Sequence, residues 1–417
     1  MNSILIQGAN VIDCKAKAAQ MGCSIFIEDG LIKEVSSQPL HKNADQVIEL
    51  RSDQYLLPGL IDAHVHVTVW NLDLNSMFTT VPTLMALHAA RILERMLQRG
   101  FTTVRDAGGA DFGLAQAVEE RLIQSPRLFY SGKAISETGG HGDFRKKSAL
   151  FVSCGCAQPE YILPHLADGI PEIIKAAREE LRKGAKQIKL MDSGGVSSPN
   201  DTLSDCGYRP EEIKAAVQVA QDHNTYVMAH AYSSASIKRY IEAGARSIEH
   251  GNFLDEETAK LMAKLGAYLV PTLVTYESLV KFGEQYGYPK YNIEKARAVL
   301  SAALSSLKNA KKAGVNIGFG TDLLGQCHDY QTHEFLIRSE VESPYDTIMS
   351  ATAINAELMN MKGKLGVISP GAFADLIVIN GNPLNDVRLL VGQGENLSLI
   401  MKQGIIFKQQ GSNKNGN

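Results

Sequence analysis

The chain opens with short apolar runs at 4–6, 24–27, 31–35 and 46–50, broken by turn signals at Gly8, Asp29-Gly30 and Ser36-Ser37. Short runs between such breakers predict antiparallel strands. The same pattern returns near the other end, at 364–368, 374–379, 397–402 and 404–408, with Ser369-Pro370-Gly371 as a turn. Residues 1–57 and 361–417 are therefore expected to build one small β-sandwich domain from both chain ends. The closing run 411–417 has no apolar residue to offset the entropy of ordering, which predicts a disordered tail.

Between these ends the pattern becomes strand then helix, repeated. Apolar stretches at 57–67, 102–106, 127–131, 187–191, 226–231, 247–249, 267–271 and 316–320 predict eight strands. Helical periodicity separates most of them, at 82–99, 112–124, 171–183, 210–223, 234–243, 255–265, 293–313 and 344–357. Several of these helices open on Asp, Ser or Pro and stop at Gly100, Gly184, Gly244, Gly266 or Gly314. Those residue types suit helix starts and ends. Eight alternations predict an α/β fold in which residues 58–360 form a (β/α)8 TIM barrel. No Gly-x-Gly-x-x-Gly follows the first of these strands, which disfavours a dinucleotide-binding sheet.

At 417 residues the chain suits one large barrel with a smaller companion. A net charge of -3, from 42 basic and 45 acidic residues, gives no basic footprint for nucleic acid and leaves a small molecule as the expected partner. No apolar stretch reaches the roughly 20 residues of a membrane span, and no basic segment precedes the first apolar residues, so the expected location is cytoplasmic. Cys14, Cys23, Cys154, Cys156, Cys206 and Cys327 lack the spacing of a disulfide framework and are read as reduced thiols. Cys154-Gly155-Cys156 has no matching second pair and is assigned no role.

Barrel enzymes carry their chemistry at the C-terminal ends of strands. There the sequence places His64 and His66 on strand one, Lys189 on strand four, His230 on five, His250 on six and Asp322 on eight. Residues two apart on a strand face one way, so His64-Val65-His66 offers two imidazoles to one point, an arrangement suited to a divalent metal. Taken singly, a strand-end histidine can bond a loop, a lysine can reach solvent and an aspartate can cap a helix. Jointly, they would fall on one rim in a metal-binding chemistry. Lys186 competes with Lys189, but alternation puts it on the opposite face.

The strings Pro-Gly-Leu-Ile-Asp-Ala-His-Val-His at 58–66, Ile-Glu-His-Gly at 248–251, Gly-Thr-Asp at 320–322 and Gly-Ala-Phe-Ala-Asp-Leu-Ile-Val-Ile at 371–379 resemble the amidohydrolase superfamily over nearly the whole chain. The resemblance implies two divalent metal ions. His64, His66 and Asp322 would hold one, His230 and His250 the other, and Lys189, carboxylated on its amine by carbon dioxide, would bridge them. A free ammonium would be repelled between cations, whereas a carbamate offers an anionic oxygen to each. Mononuclear deaminases of the superfamily carry a glutamate three residues after the strand-five histidine; position 233 here is Ser, which favours a binuclear hydrolase. Zinc is the default metal for imidazole and oxygen ligands.

The implied reaction is attack by a metal-bridging hydroxide, with Asp322 acting first as base and then as acid. His141, in Gly139-Gly140-His141-Gly142, is expected to donate to the developing oxyanion, and Tyr232 to hold a substrate carboxylate. Gln-Ile-Lys-Leu-Met-Asp-Ser-Gly-Gly-Val at 187–196, Ala-His-Ala-Tyr at 229–232 and Val-Pro-Thr-Leu-Val-Thr-Tyr at 270–276 are similar to bacterial prolidase-like and Xaa-Arg-type dipeptidases. That resemblance implies dipeptides or N-acyl amino acids as substrates and a homo-oligomeric assembly. Related enzymes cleave the amide of ochratoxin A, so an amide of that type, or a cyclic amide, is the alternative. A non-catalytic assembly protein on this fold is a third reading, and the intact ligand set argues against it. Loops at 136–169 and 276–291 are the expected determinants of substrate choice. Arg105-Asp106 is expected to lock a loop as an ion pair.

Overall fold

In the computed structural model, which describes residues 3–14, 16–77, 80–145, 164–198 and 201–410, the strands from the two chain ends hydrogen-bond into a single sheet. Its order runs Ile405–Gln409, Leu397–Lys402, Leu376–Asn380, Gln54–Pro58, Ser3–Val11, Gln20–Glu28 and Leu31–Ser36, with Gln46–Glu49 also pairing Ser3–Val11. The expectation of purely antiparallel strands is corrected here. Ser3–Val11 runs parallel to both Gln46–Glu49 and Gln54–Pro58: the connection 37–45 brings the chain back alongside it, and the short link 50–53 carries it on in the same direction. The sheet forks at Ser3–Val11 instead of splitting into two separate sheets, and Ile4, Ile25, Ile48, Leu376 and Met401 share one buried cluster. Asp29-Gly30, both at positive φ, make the tight turn between Gln20–Glu28 and Leu31–Ser36.

The strand expected at 57–67 is two elements. Gln54–Pro58 belongs to the terminal sheet, and Leu60–Val65 begins the parallel strands. Gly59 marks the break: a Cβ there would lie 2.1 Å from the Thr102 hydroxyl, so only glycine lets the chain pass. Leu60–Val65, Phe101–Asp106 and Arg127–Tyr130 form one parallel arc. A second arc contains Ile135–Ser136, His165–Leu166, Ile188–Met191, Val227–Ser233, Ser247–Phe253, Tyr268–Val270 and Asn316–Ile317, again all parallel. Main-chain bonds cross both junctions between the arcs: Lys186 N–H donates to Tyr130 O at 2.8 Å, and Ala63 N–H to Phe319 O at 2.8 Å.

Helices follow most of these strands and lay an apolar face on them. Pro210–Asp222, for instance, buries Ile213, Ala216, Val217 and Ala220. Asp111, Ser233 and Asp255 cap helix starts by accepting N–H bonds, and Gly244, Gly266 and Gly314 end helices in the left-handed conformation. The loop expected after strand seven is instead the helix Leu273–Phe282, followed by the long helix Lys290–Ala313. The helix expected at 344–357 runs as Pro344–Met349, a π-helical turn Ser350–Ile354, and Asn355–Leu358. Among the described residues, no helix is long and apolar enough to cross a membrane. Cys14, Cys23, Cys206 and Cys327 are free thiols; Cys154, Cys156 and the tail 411–417 lie outside the described residues.

Candidate active site

Period-two alternation sorts the parallel strands into two faces. Ile188, Leu190, Val227, Ala229 and Ala231 join the core beneath the helices, and the intervening Lys189, His230 and Tyr232 line a cavity. His64, His66, His141, His250 and Asp322 line the same cavity, so the eight residues singled out from sequence come together. Lys186 is exposed on the other face. Val69, Leu74, Met77, Val196, Leu279 and Leu324 supply an apolar wall.

The hydrogen bonds fix which ring edge each histidine turns inward. His64 Nδ1–H donates to Glu249 Oε2 at 2.6 Å, and His66 Nδ1–H donates to the Gly108 carbonyl at 2.8 Å. Both Nε2 atoms then approach Asp322 Oδ1, at 3.4 and 3.3 Å. His64 Nε2 and His230 Nε2 are buried without a hydrogen-bond partner. Two imidazole lone pairs converging on a carboxylate require a positive charge among them, and a divalent cation supplies it. Donor atoms of His64, His250 and Asp322 all lie within 4.8 Å of one another, which makes them a candidate metal site. The residues present therefore fit a metal.

Each strand end is bent to make this convergence. His250, Thr272 and Asp322 hold φ of 73°, 49° and 52°, left-handed conformations that cost non-glycine residues about 1–3 kcal/mol each. Thr272 Oγ1 and the Tyr276 hydroxyl lie 2.8 and 3.0 Å from His250 Nδ1, and the Asp322 N–H donates to His64 O at 2.8 Å. Gly320 lets strand eight pass His64, whose Cβ would be 2.8 Å from an added methyl group.

Burial sets the electrostatics. It pulls the Lys189 ammonium down to about 8, and among the described residues that ammonium has neither a hydrogen bond nor an ion pair. Burial likewise holds His230 and His250 well below the usual imidazole value and His141 at about 4.

The expected Arg105-Asp106 ion pair does not form. Neighbours on a strand face opposite ways, and Arg105 instead reaches across the interior to Glu249 Oε1 at 2.9 Å. Burial pushes the Glu249 carboxyl up, yet the Arg105 charge and the His64 bond hold it at about 2. Asp106 locks the adjoining loop by accepting the N–H groups of Val67, Gly108 and Ala110. Glu249 was the residue missed in the sequence; its position directly before His250 on a buried strand was the available signal. Tyr232 and Tyr276 join hydroxyls at 2.9 Å, and His141 stacks on His230 with ring centroids 4.2 Å apart.

Residues 55–406 match the profile of the amidohydrolase family. The chain belongs to that family. It is 34% identical over 373 residues to the ochratoxinase of Aspergillus niger, covering 85% of this chain and 76% of that protein. It is also similar to a prolidase crystallised with N-methylphosphonate-L-proline, with 44% identity, a TM-score of 0.94, and coverage of 98% of this chain and all of that one. A Xaa-Pro dipeptidase with bound methionine in its active site shares 31% identity at a TM-score of 0.88, with 98% of this chain and 100% of that one covered. Membership in this family, beside relatives of these kinds, makes this amidohydrolase a hydrolase acting on amide bonds.

Proposed function

We propose that this amidohydrolase is a binuclear metal-dependent enzyme that cleaves the amide of dipeptides or N-acyl amino acids. In this reading the two parallel arcs are the halves of one (β/α)8 barrel, and the cavity lies at the C-terminal ends of its strands. The observation that carries the proposal is the meeting of His64, His66, His230, His250 and Asp322 around a buried Lys189, with His64 Nε2 and His230 Nε2 unpartnered. His64, His66 and Asp322 would hold one ion and His230 and His250 the other, with Lys189 carboxylated to bridge them. Two bound divalent ions, zinc as first choice, supply Lewis acidity that acidifies a water and polarises the scissile carbonyl.

The chain's own residues supply the remaining steps. Asp322 accepts a proton from the attacking water and returns it to the leaving nitrogen as the carbon–nitrogen bond breaks, so one carboxylate serves as base and then acid. Tyr232 presents its hydroxyl for the substrate carboxylate, and the wall from Val69 to Leu324 accommodates an apolar side chain. His141 lines the same cavity beside His230. The prolidase and dipeptidase relatives support a dipeptide substrate. The identity with ochratoxinase supports a second reading, a larger aromatic amide in the same cavity.

A panel of Xaa-Pro dipeptides, other dipeptides, N-acyl amino acids, ochratoxin A and cyclic ureides, assayed at fixed zinc content, tests the proposal. Turnover of the first three classes is expected. Turnover confined to cyclic ureides, or an active enzyme that retains no metal, would overturn it.

A further inference from the structure

His141 is held from behind by a network outside the metal-ligand set. Its Nδ1 lies 2.8 Å from Ser198 Oγ, and Ser198 Oγ lies 2.5 Å from both carboxylate oxygens of Asp201. Ser198 is fully buried and Asp201 nearly so. Lys295, from helix Lys290–Ala313, ties the loop in place: its ammonium donates to the carbonyls of Gly195, Ser198 and Asp201 at 2.9, 3.1 and 2.8 Å, and approaches Asp201 Oδ1 at 3.2 Å. On the same helix Asn292 donates to Val196 O, and just before it Tyr288 bonds Ser197 Oγ at 2.6 Å. Gly195 presses on the ring so closely that a Cβ would lie 2.1 Å from Nδ1.

A hydroxyl has one proton to give. With the Asp201 carboxylate, itself paired with the Lys295 ammonium, at 2.5 Å on one side, Ser198 gives that proton to Asp201 and meets His141 with a lone pair. His141 Nδ1 must then carry the hydrogen. We propose that Asp201 and Ser198 are positioning residues that hold the proton on His141 Nδ1, so that the neutral ring presents Nε2 to the cavity as a hydrogen-bond acceptor. This replaces the donor role expected of His141, because a neutral imidazole protonated on Nδ1 cannot donate from Nε2. The proposal rests on the reading of the cavity as a hydrolytic site. It makes residues 195–198, Asp201 and the helix that clamps them part of that site's construction.

Zinc-loaded enzyme labelled with 15N-histidine tests it directly. Two-bond proton–nitrogen correlation, with signals assigned by their loss in His141→Gln, is expected to show a protonated Nδ1 and a bare Nε2 at His141. In Asp201→Asn the new amide can donate to Ser198, whose hydroxyl then turns to Nδ1, and the ring proton should move to Nε2. Ser198→Ala, the smaller change if Asp201→Asn folds poorly, should yield a mixture of tautomers, and Ser198→Thr should restore the wild-type signature. On the best substrate kcat should fall about 10- to 100-fold in Ser198→Ala, with KM little changed. A protonated Nε2 in wild type, or an unchanged tautomer in both variants, would overturn the proposal. The spectrum needs no turnover, so failure of the substrate panel and failure of this inference are separate outcomes.

Discussion

At the scale of single residues, the site is built from groups that cannot be satisfied alone. Lys189 places an amine in a buried position where it makes neither a hydrogen bond nor a close ion pair among the described residues, which is intelligible if the amine is converted to an anionic bridge. Lys189→Ala is expected to lower bound metal from about two ions per chain and to reduce kcat/KM at least about 100-fold, checked by elemental analysis and steady-state kinetics. Glu249 has the complementary task. It is buried, pinned by Arg105, and gives His64 the tautomer whose Nε2 lone pair faces Asp322. Glu249→Gln should weaken zinc binding about 10- to 100-fold in a chelator competition. Arg105→Met leaves the Glu249 charge buried without its partner and should cost about 3–5 kcal/mol in urea unfolding.

At the scale of elements, alternation along strands made most of the site legible. Lys189, His230 and Tyr232 occupy the positions between helix-facing apolar residues, so period two alone assigns them to the interior. What alternation cannot give is which strands face each other across that interior. Arg105 and Glu249 lie on Phe101–Asp106 and Ser247–Phe253, far apart in sequence, and nothing local to Arg105 distinguishes Glu249 from the adjacent Asp106. Leu273–Phe282 was hidden for a different reason: its Val, Thr and Tyr residues have weak intrinsic helix preference, and burial against helix Lys290–Ala313 decides the outcome. The continuous apolar run at 57–67 likewise concealed that Gly59 divides two sheets. Close passage of strand eight by His64 gives this scale its own prediction. In Gly320→Ala the added methyl would meet Val270 Cγ1 at 2.3 Å and His64 Cβ at 2.8 Å, so strand eight and Asp322 must shift. A loss of about 1–3 kcal/mol in stability is expected, together with a lower affinity for zinc, read by thermal unfolding with and without the metal.

Across the whole molecule, buried acids outside the site tie folding to pH. Glu334 precedes the turn that carries Arg338 and caps the helix Leu273–Phe282 by accepting the Val274 N–H at 2.7 Å, while its Oε1 is buried without a partner. Burial raises this carboxyl from the ordinary 4.5 to about 8, against the opposing pull of the Arg338 charge and with a small push from Asp62. The native protein therefore keeps a proton on Glu334 that the unfolded chain releases near 4.5. Between those values the folded state binds more protons, so this group's contribution is fully present below the lower value and is lost as pH rises towards the upper one. The slope is about 1.4 kcal/mol per pH unit within the window. Glu334→Gln keeps an acceptor for the helix N-terminus and has no proton to lose. Its stability relative to wild type, taken from urea midpoints in zinc-free protein, should therefore climb steadily from about pH 5 to about pH 8 and level off above. A difference that stays flat across this range would mean that Glu334 is already ionised in the folded protein, and that Arg338 outweighs burial at this helix start.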